Sequence, residues 1–134
     1  MSGISALLIY IIWTLLLALS YAGVRVPKVL TGSKPANHWD RGKPSDDAPI
    51  LQRAKAAHLN CLENLPLFAA LVLVAVVTEQ QALVDSVAAI VIAARIGQGV
   101  AHLIGTTFPL VLVRATLFLV QVFVMLYLAF AMLG

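Results

Sequence analysis

Arg53-Ala-Lys-Ala-Ala-His58-Leu-Asn60-Cys-Leu-Glu63-Asn64-Leu-Pro66-Leu-Phe68 runs directly into an apolar stretch, and the length of that stretch decides the fold. The wholly apolar part, Leu65 to Val77, has 13 residues, about 20 Å as a helix at 1.5 Å per residue. A bilayer core is about 30 Å thick and takes roughly 20 residues to cross. A span built here must therefore draw Asn60, Glu63 and Asn64 into the membrane, where ionisable groups are costly and point to function.

Working outward, the composition agrees with a membrane setting. Hydrophobic residues make up 61% and charged residues 11%, with a mean hydropathy of +0.96, against about 25% charged for a soluble domain. Apolar segments at 4–22, 57–77, 87–104 and 115–133 are each near the length of a spanning helix. The connection 23–52 holds Pro27, Pro35, Pro44 and Pro49 and reads as an irregular loop. The 134 residues leave room for one domain and no second module. The first segment reads as a retained span: Ala18-Leu-Ser20 faintly resembles a cleavage site, but Met1 to Ala6 has no basic residue. The expected architecture is all-α, a four-helix integral membrane bundle.

Charge sets the expected orientation. Arg25, Lys28, Lys34, Arg41, Lys43, Arg53 and Lys55 lie in or beside the first loop, and the second loop carries only Glu79 and Asp85. The positive-inside rule places the long basic loop in the cytoplasm. The net charge of +3 is explained by this placement, and basic and aromatic residues are not interleaved as on a base-stacking surface. No nucleic-acid partner is expected. The single Cys61 excludes an internal disulfide and reads as a small buried residue, with no basic side chain a turn away to activate it. His58 reads as an interfacial side chain, and no histidine pair has zinc-site spacing, so no metal is expected. Tyr10, Trp13 and Tyr21 read as packing or interface aromatics.

On a helical wheel Arg53, Asn60 and Glu63 fall within about 80° of one another, while Pro66 should bend that helix just beyond them. On the third segment Arg95, Gln98 and His102 share a face, and on the fourth Arg114 and Gln121 do. A charge at mid-span costs about 3 kcal/mol on insertion scales. Arg95 thus needs a partner, and Glu63 is the one carboxylate within the apolar segments. Two roles suit such a pair: locking helix register, or serving a site. Three arginines, Arg53, Arg95 and Arg114, face that one acid, so the surplus asks for an anionic ligand, and guanidinium suits carboxylate. Ala93, Gly97 and Ala101 form a small-residue row of the kind that lets membrane helices approach closely.

The pattern Arg53-x6-Asn60-x2-Glu63-Asn64-x-Pro66-x-Phe68 resembles the second-helix signature of the MAPEG superfamily, the membrane-associated proteins of eicosanoid and glutathione metabolism. Four spans, a basic first loop and the length agree with it, and the resemblance covers essentially the whole chain. It implies a bacterial-type member in the bacterial inner membrane or an equivalent cellular membrane, assembled as a homotrimer. It further implies glutathione as co-substrate, held between subunits by Arg53, Asn60, Glu63, Arg95, Gln98 and His102. Arg114 would stabilise the thiolate, which acts on a lipophilic electrophile or a lipid hydroperoxide arriving from the membrane lipids. The chain has Ala56 where many members carry a second arginine and His102 where a tyrosine is common. Three readings follow: a glutathione-dependent transferase or peroxidase, a non-catalytic lipid-binding or scaffold protein of the same fold, and a small transporter. Arginines beside the embedded acid fit anion binding better than cation exchange, which ranks the transporter last.

Overall fold

The computed structural model describes residues 1–35, 37, 38 and 47–134. These form four helices: α1 (Gly3–Leu30), α2 (Pro49–Val77), α3 (Gln81–Ile104) and α4 (Phe108–Leu133). Each is long and apolar enough to cross a membrane. The helices exceed the expected spans, and the loop expectation for 23–52 is corrected at both ends, because 23–30 belong to α1 and 49–52 to α2. The reason is length. At 28 residues α1 is about 42 Å long, so its last turns continue past a core of about 30 Å. Pro27 sits in the last turn of α1, and Pro49 opens α2 where its missing N–H is not needed. Arg41, Lys43 and Pro44 of the basic loop lie outside the described residues.

The inner face of α1 recurs at helical spacing: Gly3, Ala6, Tyr10, Thr14 and Leu17. That of α2 runs Ala54, Ala57, Cys61, Asn64, Phe68, Val72 and Ala75, and the helix continues through Pro66. α2 and α3 each pack against the other three helices, while the backbones of α1 and α4 do not approach each other. The buried set of α3 covers most of its circumference, with Ala88, Ala94, Gly99 and Ala101 keeping the neighbours close. α4 buries only Gln121, Met125 and Leu128. Large apolar side chains such as Leu8, Ile12, Leu119 and Phe123 are exposed on the outside of the protomer. In lipid this exposure carries no hydrophobic penalty, so close packing and hydrogen bonds hold the bundle.

Three local devices fix the helix ends. The Gly3 amide donates to Asp85 Oδ1 at 2.6 Å, joining the start of α1 to α3. The turn after α2 is a Schellman motif, with Gln80 N–H on Ala75 O at 2.7 Å and Glu79 at φ 58° in the place glycine usually takes. At the far end Arg25 pairs with the buried Asp47 at 2.7 Å, and the Tyr21 hydroxyl shares a 2.6 Å hydrogen bond with His58 Nδ1. His58 is thus a link between α1 and α2.

Of the small-residue row, Ala101 is buried, Gly97 sits where a Cβ would lie 3.2 Å from Leu117 Cδ1 of α4, and Ala93 is exposed. A tighter crossing of α1 and α3 is at Gly99, outside that row, where a Cβ would lie 2.7 Å from the Trp13 ring. Gly99→Ala is therefore expected to destabilise the bundle by about 1–3 kcal/mol. Trp13→Leu in the same chain should recover most of that loss, as read by thermal unfolding in detergent.

Candidate functional site

Arg95 organises the site from the centre of the bundle. It is 1% exposed, and its guanidinium is held by side chains from three helices. Nε donates to Gln121 Oε1 of α4 at 2.9 Å, and Nη1 donates to Asn60 Oδ1 of α2 at 2.9 Å. The ring of Tyr10, from α1, lies 5.2 Å below the guanidinium carbon, and Tyr10 donates its hydroxyl to Cys61 O at 3.2 Å. All four helices thus meet at one cation. Two further bonds close a ring: Gln98 Nε2 donates to Asn60 Oδ1 at 2.8 Å, and Gln121 Nε2 donates to Gln98 Oε1 at 2.9 Å.

This arrangement corrects the expected Arg95–Glu63 pair. The acceptors are neutral amides, and Glu63 lies on the exposed side of α2. The reason is rotational. The inward line of α2 is Ala57, Cys61, Asn64 and Phe68; Asn60 borders it, and Glu63 lies farther round. The reading of Cys61 is sharpened too. It is buried, but α3 brings Arg95 Nη1 to 3.8 Å from its sulfur, a neighbour that no spacing within α2 reveals. Arg95 Nη2 and His102 Nδ1 have no hydrogen-bond partner among the described residues.

Outside the ring lies a recess of about 380 Å³. Asn60, Glu63, Gln98 and Arg114 supply its polar lining, and Phe118 and Leu119 belong to its apolar wall. Four of the seven residues singled out from the sequence therefore come together at one place. Arg95 stands behind the recess and holds its back wall. Arg53 and His102 sit towards the α3 C-terminus. There Arg53 Nε donates to Leu103 O at 3.0 Å, satisfying one of the last carbonyls of α3 and placing a cation at its negative end. His102 is buried within electrostatic reach of both Arg114 and Arg53.

Gln121 carries more of the site than its shared face with Arg114 implies. Its signal was available: it is the lone amide in the apolar run from Ala115 to Leu133. A second recess, about 360 Å³, continues along α2 and α4 beyond the first. It is lined by Leu67, Leu71, Val122 and Met125 among others, and Asn64 is its polar member. The Asn64 Nδ2 group is buried without a hydrogen-bond partner among the described residues.

The chemistry of the first recess is that of a site for a small zwitterion or anion: a carboxylate, a guanidinium and two amides against an apolar wall. The MAPEG family model matches residues 4–134, nearly the whole chain. The chain belongs to the MAPEG family. Comparisons with curated proteins and with solved structures gave no match. As a MAPEG protein it is an integral membrane protein of the glutathione and eicosanoid metabolism superfamily, and its four helices are the expected spans. Mid-membrane polar groups in this MAPEG subunit have neither water nor lipid to bind, so the amide ring must satisfy them internally.

The fork geometry of Arg95 is the testable part of this site. Arg95→Lys keeps the charge, but its compact ammonium lacks the rigid planar fork that meets Gln121 and Asn60 together. The expected loss is about 1–3 kcal/mol, visible as a lower melting temperature in detergent; an unchanged melting temperature would contradict the role given to the fork.

Proposed function

We propose that this MAPEG protein is a glutathione-dependent transferase or peroxidase acting on lipophilic electrophiles or lipid hydroperoxides, working as a homotrimer with its site between subunits. The observation that carries the reading is the joint placement of Glu63 and Arg114 in one recess, with Glu63 exposed in the single protomer. Glu63 lies midway along α2, where an uncovered carboxylate facing lipid is strongly disfavoured. A bound cationic group and a neighbouring subunit would both answer that demand.

The outer face of α2 supports a neighbour there. Ala56, Leu59, Glu63, Pro66, Ala70, Leu73 and Val77 are all exposed and alternate in spacing between three and four residues, the pattern of a helix–helix seam. These residues are left exposed in the single protomer, with α4 only bordering Glu63 and Ala70 across the recesses, so a second copy is the natural partner.

The residues present fit glutathione. Glu63 suits its ammonium group, Arg114 suits a carboxylate, with Arg53 set back at the α3 C-terminus as a second cation, and Asn60, held by Gln98, offers its amide to the peptide backbone. Glutathione supplies a thiol that attacks an electrophilic carbon or reduces a hydroperoxide. Arg114 holds a positive charge at the edge of the membrane-embedded recess, where it favours the ionised thiol. Phe118 and Leu119 exclude water beside it, and the apolar second recess offers a berth for a lipophilic tail. The basic first loop would face the cytoplasm of a bacterial inner membrane or equivalent.

One observation favours a non-catalytic lipid-binding protein of the same fold. The second recess is almost wholly apolar and large enough for part of an acyl chain. Titrating the purified protein in detergent with glutathione separates the two readings. The enzyme reading expects a thiolate absorbance and a saturable rise in melting temperature, with affinity weakened about tenfold or more in Glu63→Ala and Arg114→Ala. Lipid binding without any thiolate signal at millimolar glutathione would favour the alternative. Native mass spectrometry in detergent is expected to show three copies; a monomer or dimer would remove the shared-site geometry.

A further inference from the structure

The hydrogen bonds around Arg95 have a direction as well as a geometry. An arginine side chain only donates, so the group that meets Arg95 Nε must be an oxygen, and Gln121 is oriented accordingly. Its nitrogen is then turned to two acceptors, Leu117 O at 3.0 Å and Gln98 Oε1 at 2.9 Å. That choice leaves Gln98 with its nitrogen towards Asn60, and the Asn60 oxygen receives both Gln98 Nε2 at 2.8 Å and Arg95 Nη1 at 2.9 Å. Both lone pairs of that oxygen are taken. Asn60 lines the recess, so what it offers there is its amide N–H₂.

We propose that Gln121 is a positioning residue: with Arg95 and Gln98 it fixes Asn60 with its oxygen inward and its amide N–H₂ in the recess, as a donor to an oxygen of the bound ligand. The inference rests on the glutathione reading for the identity of that ligand, and on geometry alone for the direction of the amide. The chain of orientations begins at a group that cannot accept and ends at one that, on the recess side, can only donate. A site so arranged selects carbonyl and carboxylate oxygens and rejects a donor at the same point. Gln121 itself is buried and does not line the recess, so it acts through Gln98 and Asn60 without touching the ligand.

Gln121→Glu tests this without a change of shape. A carboxylate accepts at both oxygens: one keeps Arg95 Nε, and the other turns Gln98 round to donate. Gln98 then presents its oxygen to Asn60, which surrenders its N–H₂ to it while keeping its own oxygen on Arg95. The introduced carboxylate gains an ion pair with Arg95 but turns an oxygen towards Leu117 O where the amide N–H donated, so the melting temperature should change little, while glutathione affinity should drop about tenfold, the loss of one hydrogen bond to a charged acceptor. Adding Gln98→Leu to Gln121→Glu frees the Asn60 amide again, and affinity should return to within about threefold of Gln98→Leu alone. A structural role for Gln121 would not be rescued by a second deletion.

A ligand-free measurement keeps the two proposals apart. The side-chain amide signal of Asn60, identified by its absence in Asn60→Asp, should shift in Gln121→Glu protein with no glutathione present. An unshifted signal, wild-type affinity in Gln121→Glu, or no recovery in the double variant would each overturn the proposal. A shifted signal in a protein whose wild-type form does not bind glutathione would uphold the amide direction and overturn the glutathione reading.

Discussion

A guanidinium buried at the centre of a membrane bundle, with no carboxylate bonded to it among the described residues, is the constraint on which the rest of this structure depends. Arg95 cannot give up its proton, and the bilayer around the protein cannot solvate it. Its charge is instead spread over the oxygens of Gln121 and Asn60 and the face of Tyr10. These groups come from α4, α2 and α1, while Arg95 itself is on α3, so satisfying one side chain registers every helix against the others. Where apolar burial drives no association, such interior bonds and close backbone approaches are what remain to specify packing. The seat of α3 at Gly99 against Trp13 belongs to the same logic.

The same constraint shapes the site. Because amides take the role expected of Glu63, that carboxylate is left on the outer face of α2, available to something outside the protomer. The single chain therefore presents Glu63 and Arg114 together in an open recess. Structure and site divide the polar residues between them: Arg95, Gln98 and Gln121 hold, while Glu63 and Arg114 face outward, and Asn60 belongs to both groups. The apolar second recess lies next along α2 and α4, so a polar station and an oily one follow each other along the same pair of helices.

Four helices, their order and the polar stripe on α2 were legible because a bilayer demands long apolar runs and penalises every polar exception. The small-residue row was legible in kind but not in place. Gly97 approaches α4, while a closer approach, to Trp13 of α1, falls at Gly99 outside the row, since a glycine's partner depends on helix rotation. Helix ends were underestimated, because a backbone already hydrogen-bonded continues into water beyond the apolar limit. Gln121 stood out only as a polar residue in an oily helix, and its partners could not be inferred from spacing within α4.

The sequence by itself determined the solvent, the number of spans and the family, since these rest on composition, run length and the residues from Arg53 to Phe68. It also determined that Arg95 needed oxygen partners at mid-membrane. Only the tertiary structure decided which oxygens, because helical periodicity orders residues around one axis and says nothing of how four axes are rotated against each other. That rotation passed over the one acid in favour of Asn60 and Gln121, and turned Glu63 outward. The electrostatic need was written along the chain; its answer depended on which faces came into contact.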